Sequence, residues 1–87
     1  MRVLYFASVR EAVGVGEEEM SPPEEVATVR QLVDWLSARS DGHARAFTDR
    51  SRLRAAVDQA FAPLDAPLDA PLAGATEVAL FPPVTGG

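Results

Sequence analysis

The residues best suited to chemistry lie at the carboxyl end of the sequence, where residues 82–87 read PPVTGG. Gly86 and Gly87 have no side chains, so none lies beside the terminal carboxylate. Their backbone can also reach φ/ψ regions that are closed to other residues. Pro82 and Pro83 hold the start of this segment extended, because each ring fixes φ and disfavours helix in the preceding residue. These residues fit a frayed terminus, as most chain ends are, and they also fit a flexible Gly-Gly tail that carries a carboxylate into the active site of another protein.

The rest of the sequence offers no competing reactive group. It contains no cysteine, which excludes a disulfide framework, a thiol nucleophile and a cysteine-ligated metal site. His43 is the single histidine, and we expect it at the surface, with no metal site in the chain. No Ser-His-Asp, Cys-His or paired-carboxylate pattern is present that could act alone. The sequence thus predicts a chain that carries a reactive group and has no catalytic side chains of its own.

Composition narrows the class of protein further. A chain of 87 residues that is 47% hydrophobic supports one small domain with a modest core. The net charge of −5 disfavours nucleic-acid binding, which requires clustered positive charge. No apolar run approaches the ~20 residues of a membrane helix, and the apolar start is too short for a signal peptide. We expect a cytoplasmic protein that binds neither nucleic acid nor a membrane.

Four segments have the pattern of strands. Residues 2–8 are rich in β-branched and aromatic residues without a breaker, and they predict a central strand. Glycines then indicate a turn, and residues 17–20 predict a second strand that returns beside the first. Residues 53–61 alternate in polarity and predict one further strand. Residues 77–81 predict the last strand, which leads directly into the tail.

The clearest local signal is a helix start between these strands. Thr28 followed by Gln31 matches a capping box, in which each side chain bonds the other residue's backbone amide. Apolar residues then recur at helical spacing, at Val29, Leu32, Val33 and Leu36. Gly42 is the expected stop of this helix, and residues 44–47 predict a shorter helical turn.

A tandem repeat occupies residues 62–73, which read APLD-APLD-APLA. Three prolines at this spacing exclude a helix interior or a central strand. The period is also too short for a solenoid unit. We expect a passive loop lengthened by duplication, with its leucines touching the body of the protein.

The order of these elements favours a particular fold. A strand hairpin, a crossover helix and return strands produce a mixed sheet packed on one main helix. With the last strand feeding the tail, this is the organisation of the α+β, ubiquitin-like β-grasp fold. We expect a β-grasp domain over residues 1–81 and an extended tail over residues 82–87.

Three segments of the chain resemble the MoaD family, the small sulfur-carrier subunit of molybdopterin synthase within the ThiS/MoaD superfamily. They are VLYFASVRE at residues 3–11, AAVDQ at residues 55–59 and EVALFPPVTGG at residues 77–87. The resemblance covers the whole chain, and its terminal segment is the most specific part. The chain departs from the family in three places: Asp58 replaces a usual asparagine, Leu80 replaces a frequent phenylalanine, and the repeat lengthens a loop.

This resemblance implies a carrier function for Gly87. In the family, an E1-like adenylyltransferase of the MoeB type uses ATP to adenylate the terminal glycine, and a sulfur donor system converts it to a thiocarboxylate. The tail residues Val84, Thr85 and Gly86 would deliver Gly87 into the large catalytic subunit, where sulfur passes to a cyclic pterin precursor of the molybdenum cofactor. The two subunits are expected to form a heterotetramer. The chain itself is implied to bind no cofactor.

The resemblance also implies that Phe6, Arg10 and Phe81 contact the large subunit. Exposed aromatic residues anchor interfaces, and arginine supplies directed hydrogen bonds there. From the residues alone, a role in the core remains open for both Phe6 and Phe81, and above all for Phe6.

Three other functions remain open at the level of sequence. The same tail chemistry would serve sulfur transfer in thiamine thiazole synthesis, cysteine formation or transfer-RNA thiolation. A ubiquitin-like modifier would instead attach Gly87 to lysines of other proteins. An interaction domain with an inert tail is the third alternative.

Overall fold

A five-stranded mixed sheet forms the frame of the protein in the computed structural model, which describes residues 1–83. In chain order its strands are β1 (Arg2–Tyr5), β2 (Glu17–Glu19), β3 (Arg54–Val57), β4 (Ala60–Phe61) and β5 (Glu77–Phe81). Their spatial order is β2-β1-β5-β3-β4, with β1 and β5 parallel and the other neighbours antiparallel. The strand that leads into the tail is therefore central and paired on both sides.

Three helices accompany the sheet: α1 (Ala7–Val13), α2 (Val29–Ser37) and α3 (Asp41–Ala46). The capping box predicted for α2 is confirmed, since the Gln31 amide donates to Thr28 Oγ1 and the Thr28 amide donates to Gln31 Oε1. The predicted apolar stripe of this helix is fully buried, at Val29, Leu32, Val33 and Leu36. Local capping and periodicity thus define the main helix of the fold.

The core lies between α2 and one face of the sheet. In the parallel register, Val3 of β1 lies opposite Val78 of β5, and Tyr5 lies opposite Leu80. All four side chains are buried in one cluster with the apolar stripe of α2. Leu80, which departs from the family pattern, therefore serves the core.

This arrangement confirms the predicted α+β, ubiquitin-like β-grasp fold, with its mixed sheet packed on one main helix. β5 ends at Phe81, directly before Pro82, where the tail was predicted to begin. Pro82 and Pro83 are the last residues described, and residues 84–87 lie outside the described part of the chain. The division into a domain and a tail stays a prediction.

The predicted first strand over residues 2–8 is too long, and helix α1 was missed. β1 ends at Tyr5, and Ala7 begins the helix with a φ of 51°. This left-handed conformation is uncommon for alanine and redirects the chain abruptly. The sequence carries no glycine or asparagine here, so it lacks the usual signal for such a turn.

The segment over residues 53–61, predicted as one strand, is a hairpin. Asp58 and Gln59 join β3 to β4 with φ angles of 49° and 69°, as a type I′ turn requires of both central residues. The common signals for this turn are Asn-Gly and Asp-Gly, which Asp-Gln does not match. The turn returns the chain so that Phe61 lies opposite Ala56.

Gly42 does not end α2, contrary to the sequence prediction. α2 ends at Ser37, and Gly42 lies in the first turn of α3, the helical turn that was predicted near residues 44–47. A Cβ atom on Gly42 would lie 2.6 Å from the backbone oxygen of Ala12 in α1. The glycine is therefore needed for the close approach of α3 to α1.

The repeat forms a loop, as predicted, and two of its leucines contact the body. A short 3₁₀ turn spans Pro67–Asp69, and an isolated bridge joins Pro71 to Thr28 at the start of α2. Leu68 and Leu72 are buried in the core, whereas Leu64 is exposed.

We expect Gly42→Ala to lower the free energy of unfolding by about 1–3 kcal/mol, as overpacking commonly does. The clash would be with a backbone carbonyl, which cannot rotate away as a side chain can. Urea unfolding followed by circular dichroism measures the change. Ala44→Ser, an exposed substitution in the same helix, is the control and should stay within about 0.5 kcal/mol of wild type. An equally small change for Gly42→Ala would contradict the tight α1–α3 contact.

Candidate functional site

An open apolar groove of about 830 Å³ lies on the sheet beside the start of the tail. Phe6, Phe61 and Phe81 line it together with Ala56, Ala79 and the two prolines that begin the tail. We call this surface the aromatic groove. Pro82 and Pro83, the last described residues, belong to its lining, so the described part of the chain ends at the groove itself.

Strand register explains the shape of the aromatic groove. Ala56 of β3 lies opposite both Phe61 of β4 and Ala79 of β5. Opposed residues share a face of the sheet, and Phe81 shares that face because it follows Ala79 by two residues. The small alanine side chains therefore form a shallow floor, and the phenylalanines rise beside it. The Phe61 and Phe81 rings meet edge to face, with centroids 6.0 Å apart.

The aromatic side chains of this groove are accessible to a partner. Phe6 is 49% exposed and Phe61 is 79% exposed, while Phe81 is partly buried. The alternative that Phe6 belongs to the core is therefore wrong. Clustered exposed aromatic residues are typical of protein–protein interfaces, where they anchor binding.

The structure brings two of the three predicted interface residues together. Phe6 and Phe81 both line the aromatic groove, whereas Arg10 is not among its lining residues. Arg10 lies on α1 with its guanidinium beside Gly16. The predicted tail residues lie outside the described part of the chain: Val84, Thr85, Gly86 and Gly87. A binding role for any of these residues stays a prediction.

Phe61 was missed as a candidate in the sequence. Once the Asp58–Gln59 turn is known, Phe61 falls on the same face as Phe81, and its exposure follows from its place on the edge strand. Without that turn, Phe61 was the last residue of a longer strand with no assigned face. The only available signal for an interface role of Phe61 was its aromatic side chain, because the hairpin turn before it was not recognised.

Asp58 ties the turn that presents Phe61 to the start of β5. Its Oδ1 accepts hydrogen bonds from the amides of Thr76 and Glu77, at 2.9 and 3.0 Å, and from Thr76 Oγ1 at 3.1 Å. The Thr76 amide and then the Glu77 amide hold the pKa of Asp58 below its ordinary value, because they stabilise the charged form. The carboxylate thus bridges the β3–β4 turn and the central strand.

His43 is buried, and the expectation of a surface residue was wrong. Its Nε2 lies 2.7 Å from Glu18 Oε1, which also accepts from the Tyr5 hydroxyl at 2.8 Å. Burial and then the hydrogen bond to Glu18 raise the pKa of Tyr5. Partial burial raises the pKa of Glu18, but the hydrogen bonds from His43 and Tyr5 outweigh it and hold this pKa below its ordinary value. This network joins β1, β2 and α3.

The hydrogen-bond network around His43 extends to the start of α3. His43 Nδ1 lies 2.7 Å from Ser40 Oγ, so serine, histidine and glutamate follow one another in hydrogen-bonding order. Ser40 Oγ also accepts from the His43 amide as the N-cap of α3. This bond fixes the hydroxyl at the helix start. None of these residues lines the aromatic groove.

Two further properties of the described residues bear on function. Within residues 1–83, no group of three or more histidine, aspartate or glutamate side chains is arranged to hold a metal ion. No helix in this part of the chain is long and apolar enough to cross a membrane.

A family model described as the ThiS family matches residues 3–87, almost the full sequence. The chain belongs to the ThiS family. Among its ThiS-type relatives is the molybdopterin synthase sulfur carrier subunit of Escherichia coli, which is 42% identical over 87 residues. That alignment covers 100% of this chain and 99% of the relative. The resemblance to the MoaD branch is thereby confirmed.

Solved structures agree with this ThiS-family assignment. The putative molybdopterin converting factor subunit 1 of Pyrococcus furiosus matches with a TM-score of 0.63 and 32% identity, over 95% of each chain. SAMP1 of Haloferax volcanii matches with a TM-score of 0.64 and 28% identity, over 100% of this chain and 98% of that one. Both similarities extend over nearly the whole fold.

We expect the wild-type protein to lose free energy of unfolding relative to the Asp58→Asn variant as the pH falls from about 5 to about 2. A depressed folded-state pKa contributes stability above the unfolded pKa, and that contribution is lost as the pH falls through the folded pKa. Asparagine keeps the accepting oxygen and tolerates positive φ, but it does not titrate. Chemical unfolding at a series of pH values measures the difference.

Asp65→Asn, at an exposed position in the repeat, is the matched control for this titration. If Asp58→Asn and Asp65→Asn track each other across the pH range, the hydrogen bonds to Asp58 do not contribute as described.

Proposed function

We propose that this chain is the sulfur-carrier subunit of molybdopterin synthase and carries sulfur as a thiocarboxylate on Gly87. The observation that carries the proposal is the end-to-end similarity to the Escherichia coli protein of that name. The geometry supports it, because the central strand that precedes the predicted tail ends at an apolar groove suited to a partner. In this function the chain is a loaded substrate, and its partners supply the catalytic side chains.

Gly87 must be activated before it can carry sulfur. A terminal carboxylate has a pKa of about 3.3–3.7, so it is ionised at neutral pH and is a poor electrophile. An E1-like, MoeB-type adenylyltransferase would transfer AMP from ATP to this carboxylate with release of pyrophosphate, and AMP is then the leaving group. A sulfur donor system then displaces AMP and leaves the thiocarboxylate. We place this reaction in the cytoplasm. Because the activating enzyme consumes the ATP, the chain itself needs no cofactor.

The loaded tail then enters the large catalytic subunit of the synthase. There the thiocarboxylate sulfur bonds to the cyclic pterin precursor in molybdenum cofactor biosynthesis. Water then cleaves the bond between the Gly87 carbonyl carbon and sulfur, which leaves the sulfur on the precursor and returns Gly87 to the carboxylate. Residues 82–87 reach at most roughly 20 Å when extended, at ~3.3–3.6 Å per residue. The active site that receives Gly87 must therefore lie within that distance of the aromatic groove. We propose a heterotetramer of the two kinds of subunit.

The aromatic groove is the proposed contact with the large subunit. Phe61, Phe6 and Phe81 would anchor the interface, since aromatic residues dominate interface energetics. Arg10 lies outside the groove and would contribute a contact from α1 at the rim of the interface. Docking at this surface would hold the start of the tail at a fixed place on the partner.

We expect incubation with the activating enzyme, ATP and a sulfide donor to convert Gly87 to the thiocarboxylate. Intact-mass spectrometry would detect a gain equal to the difference between sulfur and oxygen. Deletion of Gly87 should abolish both this gain and sulfur transfer to the precursor, without changing the unfolding midpoint. Val15→Ser, exposed and outside the groove, should be loaded normally. Persistence of the unmodified carboxylate, where the Escherichia coli relative is loaded, would refute the carrier function.

The molecule that accepts the sulfur is identified with the same loaded protein. Transfer of sulfur to the pterin precursor supports the proposal, whereas transfer only to thiazole, cysteine or transfer-RNA acceptors would assign the chain to another sulfur pathway. Gly-Gly remnants on lysines of other proteins would instead identify a modifier.

We expect Phe61→Ala to weaken binding to the large subunit at least tenfold, since an aromatic hot spot contributes about 2 kcal/mol or more. The unfolding midpoint should change little, because the ring is mostly exposed. Isothermal titration calorimetry measures the affinity, with Val15→Ser as the exposed apolar control. Unchanged affinity for Phe61→Ala would exclude the aromatic groove as the binding surface.

A further inference from the structure

We propose that the first unit of the repeat, through Leu64, adds a second groove to the surface that binds the large subunit. The inference rests on the proposed function, since it names a further part of the same interface. It concerns a feature by which this chain departs from the MoaD pattern, the lengthened loop.

The three units of the repeat have the same sequence pattern but different surroundings. Leu68 and Leu72 are 8% and 5% exposed and belong to the core, whereas Leu64 is 74% exposed. Equivalent tetrapeptides have equal intrinsic preferences, so the difference comes from their positions on the body. Leu64 therefore contributes little to folding.

Leu64 does not stand alone on the surface. A groove of about 460 Å³ lies between it and Phe61, and Ala62, Phe81 and Pro83 also line this groove. Phe61, Phe81 and Pro83 line the aromatic groove as well. Phe61 is thus a ridge between two grooves. Isolated exposed apolar residues need no explanation, but a continuous apolar surface of this kind marks a binding site.

The occupant of the second groove follows from the place of Pro83. Any protein that receives the tail must lie against the residues from which the tail departs. Because Pro83 lines both grooves, a partner that accepts Gly87 and covers the aromatic groove reaches the second groove too. The large subunit is therefore the occupant that this geometry favours.

Charge around the two grooves indicates the chemistry of the partner surface. Arg52 lines the aromatic groove and Arg54 lines the second one. Neither guanidinium forms an ion pair with a carboxylate of residues 1–83. In a chain of net charge −5, these arginines make the rim locally positive. The complementary surface has apolar side chains for both grooves and carboxylates near the arginines.

The remainder of the repeat restrains the loop that presents Leu64. Arg30 of α2 pairs with Asp69 at 3.0 Å, and Pro71 bridges to Thr28. Buried Leu68 and Leu72 anchor the same segment, and its prolines restrict the backbone further. A restrained loop loses less conformational freedom on binding, which favours its use as a contact.

The test is calorimetric titration of the full-length chain into the large subunit, with four variants. We expect Leu64→Ser to raise Kd about tenfold, as loss of a buried leucine contact would. Leu64→Met preserves apolar bulk and should stay within about threefold of wild type. Val15→Ser is the matched exposed control and should not change Kd. Phe61→Ala reports independently on the aromatic groove. All four variants should keep the wild-type unfolding midpoint, because the altered side chains are exposed.

The outcomes separate this inference from the proposed function. Wild-type affinity of Leu64→Ser, together with weakened binding of Phe61→Ala, would overturn the role of Leu64 and leave the proposed function standing. Failure of the wild-type chain to bind the large subunit would remove both. A loss confined to binding of the activating enzyme, or dissociation of a homodimer by Leu64→Ser, would show that the occupant is another protein and would also overturn the inference.

Discussion

The parallel pairing of β1 with β5 is the interaction on which the rest of the structure depends. It joins the two ends of the described chain at the centre of the sheet and buries Val3, Tyr5, Val78 and Leu80 against α2. A parallel pair requires a long crossover connection, and α2 lies within it. Because β5 is paired on both sides, Phe81 at its end has a fixed position in the sheet.

The parts of the fold that follow from local physics were predictable from the sequence. The α2 start has its capping partners within a few residues, and β5 is a short apolar run between turn signals. The elements that were missed depend on contacts distant in sequence. The turn at Asp58 is stabilised by the amides of Thr76 and Glu77, and His43 is buried because Glu18 accepts its hydrogen bond. Hydrogen-bond partners that are distant in sequence cannot be identified from a local sequence pattern, because only the folded structure brings them together.

The residues of the candidate site likewise include some that were predicted from the sequence and some that were not. The Gly-Gly tail was predicted from its residues, and the interface roles of Phe6 and Phe81 came from the resemblance to MoaD proteins. The structure places both phenylalanines in one groove. Phe61 and Leu64 were not foreseen. The face of Phe61 is set by an unrecognised turn, and the repeat gives no sign that one leucine stays exposed while two are buried. Register and loop anchoring, rather than residue type, decide which apolar side chains are available to a partner.

The edges of the sheet have a consequence for how such a protein associates. β2 consists of three glutamates, and β4 has only two residues. Short, charged edge strands are poor templates for another chain's backbone, so neither edge invites the addition of a strand. Recognition is left to side chains on a face of the sheet, which separate more readily than a backbone ladder. For the proposed carrier, which would pass between an enzyme that loads it and one that unloads it, contacts that release quickly are as necessary as contacts that bind.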